Sequence, residues 1–264
     1  MAIAFVQYDD YYNSVTGGTI ANDTALNTTT GNFIVAIIGT YASNGVVSKV
    51  EDTAGNTYVK AVGEFRAGTS TERQEIWYAE NITGNAANVT TATFTASTTR
   101  YISVAEFSGV ATSSSLDDTS YAAMVTQTTH SSGNATSSAA GGLIIGGLNL
   151  VDSENVTKGA GFTDLSSDIT LIYEYAEYMI LGAAGDYDAD CTTGTTSSSI
   201  MACVIFKAGE AASGATTNCQ INIGDAWKTI SGSNVIKVNV GDAWKGVAAM
   251  KVNVGDSWKA CVIS

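Results

Sequence analysis

The sequence predicts an all-β protein: a β-sandwich followed by a small C-terminal domain of β-hairpin repeats. Three observations carry that prediction. Short apolar runs, alternating or continuous, recur every 10 to 15 residues between clusters of Gly, Asn, Asp and Ser. The composition is rich in Thr, Ser, Ala, Gly, Asn and β-branched residues and poor in strong helix formers. Near the C-terminus one phrase with a tight-turn signal inside it occurs three times.

In chain order, residues 2 to 7 form the first expected strand. Tyr8-Asp9-Asp10-Tyr11-Tyr12 follows as an aromatic and acidic loop, read first as a surface turn and second as a grip for a sugar or a partner loop. A Thr-, Asn- and Gly-rich stretch runs to Asn32. Phe33 to Ile38 is a continuous apolar run, the pattern of a strand covered on both faces. Val46 to Val50 is a short strand, and Asp52 to Tyr58 is read as a hairpin turn leading into a strand from Tyr58 to Phe65. Gln74 to Glu80 alternates faces. Val89 to Ala96 and Tyr101 to Phe107 read as two further strands closed by Ser108-Gly109-Val110.

Thr112 to Ser138 is polar and is expected to be a long excursion or an edge. Gly141 to Leu148 is a central strand flanked by glycines. In the next strand Ile169, Leu171, Tyr173 and Tyr175 share one face, with Glu174 and Ala176 on the other. Met201 to Phe206 closes the sandwich. Residues 208 to 217 are small and polar and read as a linker. The expected division is a sandwich over 1–208, a linker over 209–219 and a triple hairpin repeat over 220–264.

The repeated phrase is Ile221-Asn222-Ile223-Gly224-Asp225-Ala226-Trp227-Lys228. It returns as Val238-Asn239-Val240-Gly241-Asp242-Ala243-Trp244-Lys245, and again as Val252-Asn253-Val254-Gly255-Asp256-Ser257-Trp258-Lys259. Gly tolerates φ > 0 and Asp tolerates turn geometry, so each copy reads as a hairpin around Gly-Asp. A two-residue turn would set Asn239 opposite Trp244. A three-residue turn would set Val240 opposite Trp244 and is favoured here because it pairs apolar residues. The candidate assembly residues are Trp227, Trp244 and Trp258 with the turn pairs Gly224-Asp225, Gly241-Asp242 and Gly255-Asp256.

This phrase resembles repeats near the ends of structural proteins of tailed bacteriophages, above all tail and fibre proteins. A second resemblance is spread over residues 33 to 208, through Asp-Thr-Ala-Gly-Asn-Thr-Tyr, Ile-Trp-Tyr-Ala-Glu-Asn-Ile-Thr-Gly, Ala-Glu-Phe-Ser-Gly-Val, Gly-Gly-Leu-Ile-Ile-Gly and Val-Ile-Phe-Lys-Ala. These phrases look like a sandwich domain of phage structural proteins and bacterial surface proteins. The resemblance implies a jelly-roll or lectin-like architecture and brings no catalytic residues.

The formal net charge is −13, from 25 acidic and 12 basic residues, which disfavours nucleic acid and anionic membrane as partners. There is no proline, so turns depend on Gly, Asn, Asp and Ser. No apolar run approaches the length of a transmembrane helix, and the N-terminal residues lack a signal-peptide pattern. The expectation is a chain made in the host cytoplasm and located in the virion. Cys191, Cys203, Cys219 and Cys261 contain no C-x-x-C pair. Free thiols are the default, with a Cys219–Cys261 disulfide across the repeat tail as the alternative.

Chemistry is sparse in the sequence. His130, the single histidine, lies in a polar stretch and is expected at the surface. No G-x-S-x-G, H-E-x-x-H or phosphate-loop motif occurs. Asp186, Asp188 and Asp190 alternate like the start of a calcium loop, but Cys191 and Ser197 stand where its glycine and glutamate belong. Those aspartates are the one metal candidate, and no other cofactor is expected. The leading expectation is a non-enzymatic structural component of a phage virion, a fibre or decoration protein. It would assemble with other virion proteins and with itself, with a trimer as the expected oligomer. A rival reading is a carbohydrate-binding module for a host-surface glycan, supported by exposed aromatics around Tyr8 to Tyr12 or Tyr187. A third is a polysaccharide depolymerase on the same scaffold.

Overall fold

The computed structural model describes residues 2–41, 45–65, 72–170 and 172–209, and in the tail 219–222, 227–230, 237–239, 244–246, 250–253 and 258–261. All regular structure among them is β, which establishes the all-β class. The chain divides into two units, Met1–Glu210 and Ala211–Ser264.

Among its described residues the first unit contains fourteen strands. They are β1 (Ala4–Ala21), β2 (Phe33–Tyr41), β3 (Val47–Asp52), β4 (Val59–Phe65), β5 (Glu72–Ala79), β6 (Thr90–Ser108) and β7 (Leu116–Ser131), then β8 (Ala135–Ser137), β9 (Leu143–Glu154), β10 (Val156–Lys158), β11 (Thr163–Asp164), β12 (Ile172–Ile180), β13 (Gly185–Tyr187) and β14 (Asp190–Phe206). One six-stranded antiparallel sheet has the order β1-β6-β2-β5-β4, with β3 also on β6. The other has the order β10-β14-β9-β12-β11, with β7 also on β14.

These two sheets are one plan used twice. β6 and β14 each carry three neighbours: β1, β2 and β3 in the first sheet, β7, β9 and β10 in the second. The partner strands β5 and β12 then continue to β4 and β11. Even the minor pairings correspond, since the Leu26–Asn88 bridge occupies the place of the β8–β13 ladder. Gly31 and Gly141 stand two residues before Phe33 and Leu143, with φ of 87° and 82°, where a side chain would be strained. The duplication is not among the expectations drawn from the sequence.

Three apolar layers follow from strand alternation. Phe33, Val35 and Ile37 of β2 meet Leu143 and Ile145 of β9, and Ala202, Val204 and Phe206 of β14, between the sheets. The opposite face of β2 carries Ile34, Ala36 and Ile38 into the first half's own outer core. Ile144, Leu148 and Leu150 do the same for the second half. Phe33 through Thr40 are all buried, as the unbroken apolar run of β2 requires. Each fully buried Ile or Phe contributes about 1.5–3 kcal/mol by its burial.

Several sequence expectations are corrected. Tyr8 to Tyr12 is not a loop but part of an 18-residue strand, because tyrosines favour strands and no turn residue interrupts them. Val89 to Ala96 and Tyr101 to Phe107 are one strand, β6, whose early residues pair with β3 and later ones with β2. Asp52 to Tyr58 is not a hairpin turn: β3 pairs with β6, whereas β4 pairs with β5. Asp52 instead anchors a crossover, accepting Asn56 N (2.9 Å), Asn56 Nδ2 (2.8 Å), Tyr58 Oη (3.1 Å) and Asn88 Nδ2 (3.0 Å). The polar stretch after Thr112 contains β7, which pairs only with β14 along its length. Leu171 lies outside the described residues, and Ile169 precedes β12 rather than belonging to it.

The second unit contains β15 (Cys219–Asn222), β16 (Trp227–Ile230), β17 (Lys237–Asn239), β18 (Trp244–Gly246), β19 (Met250–Asn253) and β20 (Trp258–Cys261). They form three two-stranded antiparallel ladders in one register, with Asn222 opposite Trp227, Asn239 opposite Trp244 and Asn253 opposite Trp258. This register corrects the favoured pairing of Val240 with Trp244. Turn and register are fixed together, so one favourable apolar pair does not by itself set the pairing. The turn residues Gly224, Asp225, Gly241, Asp242, Gly255 and Asp256 lie outside the described residues, as do the side chains of Cys219 and Cys261. Cys191 and Cys203 are free and buried.

Candidate ligand groove

The layer between the sheets changes character along β2. Phe33, Val35 and Ile37 point into it, and by the same alternation Gly39 follows. Gly39 pairs with Gln74, and Asn149 pairs with Glu174. At this end, therefore, apolar packing gives way to Gln74, Asn149 and Glu174, which are all buried. Asn149 Nδ2 donates to Thr40 O at 3.0 Å and to Arg73 O at 3.1 Å, joining the ends of β2 and β9. Its Oδ1, both amide atoms of Gln74 and Glu174 Oε2 are buried and have no hydrogen-bond partner among the described residues.

Two adjoining clefts of about 370 and 290 Å³ open at this end of the layer and share Tyr12, Tyr173 and Glu174. Tyr12 comes from β1 of the first half and Tyr173 from β12 of the second. Their rings are 6.4 Å apart between centroids with 19° between planes. Tyr173 sits at a register shift between Ile172 and Glu174, and such irregularities re-aim side chains. Tyr41 and Arg100 border one cleft, and Asp10, Tyr101, Ser166 and Asp168 border the other.

The walls are held rigidly. Asp10 accepts hydrogen bonds from Ser167 N and Ser167 Oγ, both carboxyl oxygens taking part. Ser103 Oγ donates to Leu165 O at 2.8 Å, and Tyr101 Oη lies 3.1 Å from Ser166 Oγ. Asp168 Oδ1 accepts Thr170 N at 2.8 Å. The Arg100 guanidinium donates to the carbonyls of Val15, Thr98 and Thr19. Gly17 leaves the space it fills, since a Cβ there would collide with the guanidinium.

Burial, reinforced by repulsion from Glu72, pushes the Glu174 carboxyl well above the usual carboxylate range. Asp10 is raised by burial too, against the lowering effect of its Ser167 hydrogen bonds. Tyr12 is raised by burial and by the neighbouring Tyr173 and Glu174. The groove is thus aromatic at its rim, and burial in its floor favours the neutral form of the Glu174 carboxyl. Such a site can bind and orient a polar ring.

Only part of this arrangement is legible in the sequence. The sequence reads Tyr8 to Tyr12 first as a surface turn and second as a grip for a sugar or a partner loop; Asp10, Tyr11 and Tyr12 line the groove. Tyr41, Tyr101, Ser166, Asp168, Tyr173 and Glu174 come from distant segments and were not singled out. Tyr187, the other aromatic considered, donates to Ala183 O and lies apart from these clefts. Asp186 accepts Thr136 Oγ1 and Asp188 accepts Ser131 Oγ. Among the described residues no three acidic, His or Cys side chains converge to hold a metal.

His130 is fully buried, which corrects the expected surface position. Its Nδ1 lies 2.7 Å from Ser199 Oγ and its Nε2 3.0 Å from Thr193 Oγ1, so the polar stretch supplies partners within the fold. Ser199 is buried as well, and the pair offers no access to a substrate. No known protein family, curated protein or solved structure matches the chain.

Proposed function

We propose that the chain is a non-enzymatic structural component of a tailed-phage virion, a fibre or decoration protein. It assembles through its hairpin tail and exposes the duplicated sandwich at the particle surface. The observation that carries this reading is the tail: three hairpins hold one register, and among the described strands each pairs only within itself. A lone two-stranded hairpin is marginal in water. Three of them gain stability when their edges or tryptophan faces meet other copies or other virion proteins. The resemblance of the Gly-Asp-x-Trp-Lys phrase to phage tail and fibre repeats supports the same assignment.

Light scattering after size exclusion tests it, on the intact chain, on residues 1–210 and on the triple variant Trp227→Ala, Trp244→Ala, Trp258→Ala. The intact chain is expected to be a trimer and both altered chains monomers. A monomeric intact chain that also binds no other protein of its virion overturns the assembly role.

A further inference from the structure

We infer that the groove between Tyr12 and Tyr173 is a saccharide-binding site, taking sugar rings against its tyrosine faces and their hydroxyls on Glu174 and the surrounding phenols and carboxylates. The inference uses the first unit alone and does not rest on the virion reading.

The rim is unusually aromatic for an exposed surface. Tyr11, Tyr12, Tyr41 and Tyr173 are 36%, 44%, 45% and 38% exposed, and all four border the two clefts. Clustered exposed aromatics mark binding surfaces, and tyrosine joins an apolar face to a polar tip. A sugar ring has the matching form, with an apolar face of C–H groups and a circumference of hydroxyls.

The floor supplies an independent observation. Glu174 is only 7% exposed, borders both clefts and has an oxygen without a hydrogen-bond partner among the described residues. Buried polar atoms are almost always satisfied, so an unsatisfied one on a residue that borders two clefts marks a place for a water or a ligand group. Its pairing across the molecule is specific, because the carboxyl rests where a side chain at Gly39 would otherwise stand.

The polar groups favour a sugar over a cation, the other ligand that aromatic and acidic residues attract. Asp10 and Asp168 already accept backbone and hydroxyl hydrogens from Ser167 and Thr170. Burial, reinforced by repulsion from Glu72, raises the Glu174 pKa and so favours its neutral form. The neutral form both donates and accepts, which suits hydroxyl groups and attracts a cation less than a carboxylate does.

The test is an immobilised array of neutral and acidic oligosaccharides probed with the intact chain, followed by calorimetric titration of the best-bound oligosaccharide. Tyr12→Ala and Tyr173→Ala, at exposed positions that leave the core intact, are each expected to weaken binding at least ~10-fold, in line with the loss of one aromatic contact. Glu174→Gln retains a neutral donor and acceptor and stays within ~3-fold, whereas Glu174→Ala falls with the tyrosine variants. Silence across the array overturns the inference, as does sugar binding that both tyrosine variants leave unchanged. Spermidine serves as the cationic probe: saturable spermidine binding lost in the tyrosine variants, with no sugar bound, assigns the groove to cations instead. Solution mass and sugar binding read different units of the chain, so either proposal can fail while the other stands.

Discussion

The Glu174 carboxyl rests against the backbone of Gly39, a strand of one half leaning on a strand of the other. A Cβ at position 39 would land on that carboxyl. Gly39→Ala is therefore expected to displace Glu174 and to destabilise the first unit by about 1–3 kcal/mol, the range for overpacking a filled site. Urea unfolding of the variant checks this. An unchanged midpoint would show that the carboxyl moves aside freely.

Glu177 gives the sandwich a pH dependence of known sign. It is fully buried, Oε1 has no partner, and burial pushes it up to about 8 despite hydrogen bonds from Gly159 N and Tyr175 Oη. Below about pH 4.5 the carboxyl is protonated whether the chain is folded or not. As pH rises from there to about 8, the unfolded chain releases the proton first, so this group's contribution to stability is progressively lost. Glu177→Gln is expected to gain a few kcal/mol on the wild type at pH 8.5 relative to pH 5. Urea midpoints at the two pH values measure it, and parallel shifts for both proteins would contradict the assignment.

His130 acts in the opposite direction. Burial lowers its pKa, against the raising influence of Glu154, and both ring nitrogens face hydroxyls. Folding therefore favours the neutral ring. When pH falls below 6.5 the unfolded chain takes up a proton that the folded chain refuses, and stability drops. With one histidine in the sequence, a single imidazole resonance reports the titration. Its midpoint in the folded protein is expected below 6.5; a midpoint at or above that value refutes the assignment.

Glu106 ties the N-terminal strand to the loop before β2. It is fully buried and accepts Gln7 Nε2 at 2.6 Å, Thr29 N at 2.8 Å and Asn32 Nδ2 at 2.7 Å. Glu106→Ala strands those donors and is expected to cost about 2–3 kcal/mol, while Glu106→Gln recovers part of it. Hydrogen exchange should locate the loss at the Thr29 amide, and unaltered protection there would count against this role.

What could be read in the sequence followed from local chemistry. The unbroken apolar run of Phe33 to Ile38 announced a strand covered on both faces, and the triple Gly-Asp phrase announced hairpins. Registers and partners were harder, because strand pairing is decided by distant residues. Nothing near Asp52 reveals that β3 turns away from β4 to join β6. The groove was half legible, since Tyr8 to Tyr12 drew notice by composition. Tyr173 and Glu174 did not, because their significance arises from a register shift in β12 and from a glycine over 130 positions earlier in the chain. The duplication left one usable trace, the match of Gly31-Asn32-Phe33-Ile34-Val35 with Gly141-Gly142-Leu143-Ile144-Ile145.

That duplication has a consequence for how the sandwich survives dilution. Each half alone would leave the layer of Phe33, Val35 and Ile37, or of Leu143 and Ile145, uncovered. Separate halves would need to find each other, and their association would weaken as concentration fell. Joining them end to end makes the encounter intramolecular, at an effective concentration set by a few connecting residues. The sandwich therefore holds together equally well in a crowded cell and as one isolated molecule.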